Sequence, residues 1–172
     1  MIIDESDGEI HSARATLDVG YVGTSHKNCK GVFKSVANAC LLEQRRRSAP
    51  ESTWVLSSED LTTVGPVALL QDLAVVANLG ITHSERNGHH YFRGLSMFPI
   101  ELQEATVRAH PDLYRMHSEG FATLRVEGGR LQVGSVVDAC FGSAVAFDPA
   151  FAVPLDEWTP DSLTHPDTGS TP

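Results

Sequence analysis

Ionisable side chains recur directly after short runs of strand-forming residues: Asp4-Glu5, Lys27 with Lys30, Glu59-Asp60, and Glu85-Arg86 with His89-His90 close behind. Carboxylates and amines together are the material of general acid–base chemistry, and carboxylate oxygens also suit a hard divalent cation such as magnesium. A lysine works as a base only when partly neutral, which takes burial or a neighbouring positive charge. In parallel α/β proteins the carboxyl ends of the strands are where active sites are assembled. Polar strand-to-helix loops arise without any site, however, and each residue has a plainer reading. Asp4 could cap the first helix, Glu59 and Asp60 could cap the helix near Gly65-Pro66, Lys27 and Lys30 could be solvated, and Cys29 reads as a small buried residue.

The elements that must position these groups are legible as strands alternating with helices. Met1-Ile2-Ile3 is a short apolar run that stops at Asp4. Residues 9–19 read as a helix closed by Gly20, a residue that tolerates the left-handed backbone found just past helix ends. Tyr21 to His26 reads as a strand. The next helix carries Phe33, Val36, Ala37, Cys40 and Leu41 on one apolar stripe at i, i+3, i+4, i+7 and i+8, with Lys34, Glu43, Gln44 and the arginines opposite. Thr53-Trp54-Val55-Leu56-Ser57 is a third strand. Gly65-Pro66 opens a helix over residues 67–78 that is apolar almost all round except Gln71 and Asp72, so it should be well buried. Ile81-Thr82-His83-Ser84 is a fourth short strand. Strand starts near residues 1, 21, 53 and 81 suit βα units. Later, residues 99–110 read as an amphipathic helix, and Glu127-Gly128-Gly129 as the turn of a hairpin with arms 123–126 and 130–133.

Composition narrows the class. The chain has 172 residues with a formal charge of −9, which offers no broad phosphate-binding surface, so no nucleic-acid partner is expected. No stretch of 18 apolar residues marks a membrane span. The acidic start is unlike a signal peptide, and three scattered cysteines make no disulfide scaffold, which points to a cytoplasmic setting. Beyond residue 152 the chain turns to Pro, Asp, Thr and Ser and reads as a flexible tail.

Three motifs carry a family resemblance: Ile3-Asp4-Glu5-Ser6, then Ser25-His26-Lys27-Asn28-Cys29-Lys30-Gly31, then Arg125-Val126-Glu127-Gly128-Gly129-Arg130-Leu131. In this order and spacing they resemble the enolase superfamily, in its mandelate racemase and muconate lactonizing enzyme branch, over roughly residues 1–150. The resemblance implies a partial (β/α) barrel, the four C-terminal βα units of an enolase-type TIM barrel. Residues 1–98 would form the half barrel, 99–150 a helix and hairpin segment, and 151–172 the tail. It implies a Mg2+ cofactor held by Asp4, with Glu5 as second choice, and Lys27 as acid/base with Glu85 as a further catalytic group. Lys30, Glu59, Asp60, His89 and His90 would face a small carboxylate substrate. The chemistry implied is removal of the proton alpha to that carboxylate, in a racemase, epimerase, dehydratase or lyase. The capping domain, the Lys-x-Lys strand and two further metal carboxylates of the family would lie before Met1. The chain is therefore expected to need an N-terminal half or self-association. The alternatives are a non-catalytic half-barrel subunit and an unrelated open α/β metal-dependent hydrolase using His89, His90 and Glu85.

Overall fold

The computed structural model describes residues 1–59, 62–86 and 88–160. In chain order the elements are α1 (Ser12–Asp18), β1 (Gly23–His26), α2 (Val32–Ser48), β2 (Val55–Glu59), α3 (Ala68–Asn78), β3 (Ser84–Glu85), α4 (Gly88–Tyr91), α5 (Ile100–Ala109), β4 (Tyr114–Met116), β5 (Ala122–Leu124) and α6 (Gly134–Val137). The chain is mixed α/β: one parallel sheet in the order β1-β2-β3, and one antiparallel pair, β4-β5.

The parallel sheet follows chain order, as strand–helix–strand connections do. Thr24 lies opposite Leu56 and Ser58 opposite Ser84. Ile3 extends the order by one parallel bridge to Thr24. Its N–H donates to the Gly23 carbonyl at 2.9 Å, and its carbonyl accepts from Ser25 N–H at 3.2 Å. Gly23 is needed where it stands, because a Cβ there would collide with the backbone carbonyl of Val55 on the neighbouring strand.

The helices bury different kinds of face. In α1, Ala13 and Leu17 turn inward four residues apart. In α3, Leu69, Leu70 and Leu73 enter a core completed by Leu95, Leu113, Tyr114, Ala122 and Val136, and Val76 is buried as well, as the apolar sequence over residues 67–78 implied. The helix starts at Ala68, two residues beyond the cis Gly65-Pro66 bond.

α2 reverses the sequence expectation. Its buried residues are Lys34, Ser35, Asn38 and Leu42, while the apolar stripe faces outward, with Phe33 89% exposed and Val36, Ala37 and Cys40 exposed beside it. The reason is Asp7, which is fully buried. Its carboxylate meets the Lys34 ammonium at 2.8 Å and accepts from Asn38 Nδ2 at 3.0 Å and Thr24 Oγ1 at 2.5 Å. A buried carboxylate without such partners would cost several kcal/mol, and presenting Lys34 and Asn38 to it turns the stripe away.

The hairpin expected around Glu127-Gly128-Gly129 is corrected. The turn exists, with Gly128 and Gly129 at positive φ, but only a single bridge, Glu127 to Arg130, closes it. The ladder forms one strand earlier, with Tyr114 opposite Leu124 and Met116 opposite Ala122. There Tyr114 and Ala122 have the α3 core to enter, whereas 126–130 are exposed. Cys29, expected buried, is exposed, as are Cys40 and Cys140. Of the expected tail, residues 161–172 lie outside the described residues.

Candidate functional site at the carboxyl ends of the parallel strands

Parallel pairing turns the strand ends one way, so the residues that follow Ile3, β1, β2 and β3 share a rim. Lys27 is its centre. It follows β1 directly and is 1% exposed. Its ammonium lies 2.9 Å from Asp4 Oδ1 and 2.9 Å from Glu59 Oε2, and also donates to Glu5 Oε1. Glu59 ends β2, and Asp4 and Glu5 follow Ile3, so one cation ties together three successive chain passes.

Lys30 works on the same loop from outside. Its ammonium donates to the backbone carbonyls of Asp4 at 2.9 Å and Glu5 at 3.0 Å. The Lys-x-x-Lys spacing spans the short 3-10 turn Asn28–Lys30, which puts one amine inside the carboxylates and the other behind them. Gly31, at φ 104°, then starts α2.

The electrostatics follow from this geometry. Burial pushes the Lys27 ammonium toward neutrality, but hydrogen bonds to Glu5, Asp4 and Glu59 outweigh it and hold the group well above an ordinary lysine. Glu5 is held below the usual carboxylate range by its hydrogen bond and charge attraction to Lys27. Lys27 is thus a fixed cation at neutral pH, and in this arrangement it can donate a proton or offset negative charge but not abstract a proton.

Asp4, Glu5 and Glu59 each offer a carboxylate oxygen within 4.8 Å of the others, a donor set whose chemistry suits a hard cation. The space they enclose is that of the Lys27 ammonium, at contact distance from all three. A dication there would face a like charge at a few ångströms. On their own, therefore, these residues do not fit a magnesium ion.

Glu85 ends β3 on the same rim, one strand beyond Glu59, which it pairs in register. Next to it Arg86 turns back to α3 and donates to Asp72 at 2.5 Å. Asp72 is the one acid of an otherwise largely apolar helix, and its burial is explained by this partner; His26 Nε2, 3.9 Å away, is too far to hydrogen-bond to it. His26 Nδ1 meets Ser35 Oγ at 2.5 Å, and burial holds the imidazole below its ordinary pKa against the pull of Asp72. Sequence reasoning missed this layer and the Asp7 hub. A solitary acid in an apolar helix was the available signal for Asp72; Asp7 had none.

Of the remaining expected site residues, Asp60 lies outside the described residues. His89 and His90 lie in α4, shortly after β3, and their side chains are likewise outside the description. Among the described residues no helix is long and apolar enough to cross a membrane. No protein-family model matches the chain, and no curated protein or solved structure matches it either.

Proposed function

We propose that this chain is the C-terminal portion of an enolase-type barrel enzyme of the mandelate racemase and muconate lactonizing branch. Its reaction is proton transfer at the carbon alpha to a substrate carboxylate, as in racemases, epimerases, dehydratases and lyases. One observation carries the reading: Asp4 follows the parallel bridge at Ile3, Lys27 follows β1, Glu59 and Glu85 end β2 and β3, and the first three touch. That is the order in which a (β/α) barrel delivers groups to its catalytic mouth.

In this proposal Lys27 is the proton-transfer group, and Asp4, with Glu5 as second choice, would be free to hold magnesium only once released from Lys27. A magnesium ion, if bound, would supply Lewis-acid stabilisation of negative charge developing on the substrate. With Asp4, Glu5 and Glu59 all bonded to Lys27, the chain alone holds its lysine protonated, so it has little or no turnover by itself. Substrate contacts from Lys30, Glu59, Asp60, His89 and His90 belong to the same proposal, with Glu85 as a further catalytic group.

The test is exchange of the alpha proton of 2-hydroxy acids and sugar acids in deuterium oxide, followed by proton NMR. The chain alone should show none; co-expressed with the N-terminal half of an enolase-type barrel it should show magnesium-dependent exchange. Lys27→Ala should abolish that exchange. Exchange that persists in Lys27→Ala, or complementation failing with every such half, overturns the proposal. The same geometry gives a second reading some support: a non-catalytic subunit in which Lys27 is a structural clasp.

A further inference from the structure

Two hydroxyl groups are buried without a hydrogen-bond partner: the Tyr114 phenol, on β4, and Thr63 Oγ1, in the loop that leaves β2. Both residues line one cavity of about 30 Å³. The buried Leu69 and Leu95 and the half-buried Phe92 give it apolar walls. Gly65 keeps the space in front of the phenol open, because a Cβ there would collide with the phenol oxygen. Buried hydroxyls are seldom left unmet, since each lost hydrogen bond to water goes uncompensated. Two of them on one space mark it as a place for a group that the chain itself does not supply.

The walls define what that group is. Among the described residues of the lining none carries a charged side chain, so an ion would be stranded there and the ligand is neutral. The volume admits about two or three heavy atoms. Water inside a protein typically makes about three hydrogen bonds, whereas the buried side-chain polar atoms here are two hydroxyls on otherwise apolar walls. A short alcohol suits them better. Its hydroxyl donates to one oxygen and accepts from the other, and its carbons lie against Leu69 and Leu95.

We propose that this cavity binds a small primary alcohol, alone or as the hydroxymethyl end of a larger neutral molecule. Occupancy ties together three passes of the chain: the loop after β2, the segment after β3, and β4. The cavity shares no residue with the Lys27 rim, so it binds alcohol whether or not the chain is half of a barrel.

Ethanol is the probe, titrated into the purified chain with labelled leucine methyls and followed by NMR. The Leu69 and Leu95 methyls should shift and saturate, with a dissociation constant of about 1 mM or weaker for so small a ligand. Ethylammonium, with the same number of heavy atoms but a charge, should give no saturable shift. Tyr114→Phe and Thr63→Val keep the shape of the walls and remove one hydroxyl each. Each should weaken ethanol binding about fivefold with an unchanged circular dichroism spectrum. Shifts that rise linearly without saturating overturn the proposal, and so does saturable binding that both variants leave intact. Magnetisation transfer from water to the Leu69 and Leu95 methyls that persists at saturating ethanol assigns the cavity to water and overturns it too.

Discussion

Lys27 shows how far a single side chain can set the state of a site. Replacing it with methionine keeps most of the buried stem and removes the charge, leaving Asp4, Glu5 and Glu59 oxygens within 4.8 Å of one another and uncompensated. Because Asp4 and Glu5 still reach water, the penalty is smaller than for a fully buried pair. Lys27→Met should lower stability by about 1–3 kcal/mol at pH 7, by urea denaturation. The loss should shrink near pH 4, where the carboxylates take up protons and cease to repel; an equal loss at both pH values would contradict the clasp. Tyr114 makes the opposite case. It is 2% exposed, and its hydroxyl has no hydrogen-bond partner in a small cavity with Gly65, Leu69 and Leu95. Tyr114→Phe should therefore be neutral or stabilising by up to about 1 kcal/mol, whereas a loss of similar size would show that the phenol is bonded. At this scale the sequence was a good guide to Asp4, Lys27 and Glu59, since a polar residue directly after a strand has few other places to go. It could not show that they would bond to one another, because that depends on side-chain reach across neighbouring strands.

Among the elements, α2 separates pattern from packing. Its i, i+3, i+4 stripe is a sound helix signal, and the helix runs over Val32–Ser48. The direction of the stripe is not contained in that pattern. Burying Asp7 obliges some element to supply Lys34 and Asn38, and the helix turns to do so. A core phenylalanine cut to alanine costs about 3–5 kcal/mol. Phe33→Ala should instead change stability by less than about 0.5 kcal/mol, measured by the urea midpoint. Asp7→Asn, by contrast, leaves the Lys34 ammonium buried without its carboxylate and should cost about 3 kcal/mol or more. Reversal of that order would mean the stripe is the buried face. The hairpin near Gly128 teaches the same lesson: two glycines ensure a turn, but arms form only where a core waits for their side chains, as it does for Tyr114 and Ala122. Strand order was legible because the βα spacing leaves few topologies. Whether the sheet curves toward a cylinder was not, since curvature depends on strand tilt and stagger that spacing along the chain does not set.

At the scale of the whole molecule, the buried titratable groups define a pH window for folding. His110 is fully buried; its Nε2 accepts the Ala144 N–H at 3.1 Å, so that nitrogen carries no proton. Its Nδ1 meets Ser135 Oγ at 3.0 Å, and Ser135 donates to Asp112. Burial lowers the pKa of His110, with Asp112 opposing, and likewise lowers that of His26. A depressed folded pKa means that the unfolded chain takes up the proton first on acidification. Stability should thus fall as pH drops below about 6.5, by at most about 1.4 kcal/mol per pH unit for each imidazole, and level off below the folded values. Asp112 adds a second acid-side loss. Its burial raises the pKa, the bonds from Ser135 outweigh that, and the net lowering gives stability that disappears as pH falls below the ordinary aspartate range. On the alkaline side the raised pKa of Lys27 has the reverse sign: its contribution is complete below about pH 10.5 and declines only above it. Urea midpoints taken from pH 4 to 11 should accordingly form a plateau from about pH 7 to 10. His110→Gln should flatten the acid limb near pH 6 without moving the alkaline one, while Lys27→Met should flatten part of the alkaline limb, the buried Tyr114 phenol supplying the rest, and lessen the fall toward pH 4. If His110→Gln instead left the slope near pH 6 unchanged, that limb would belong to His26, and the ties from His110 to Ser135 and Ala144 would carry none of it.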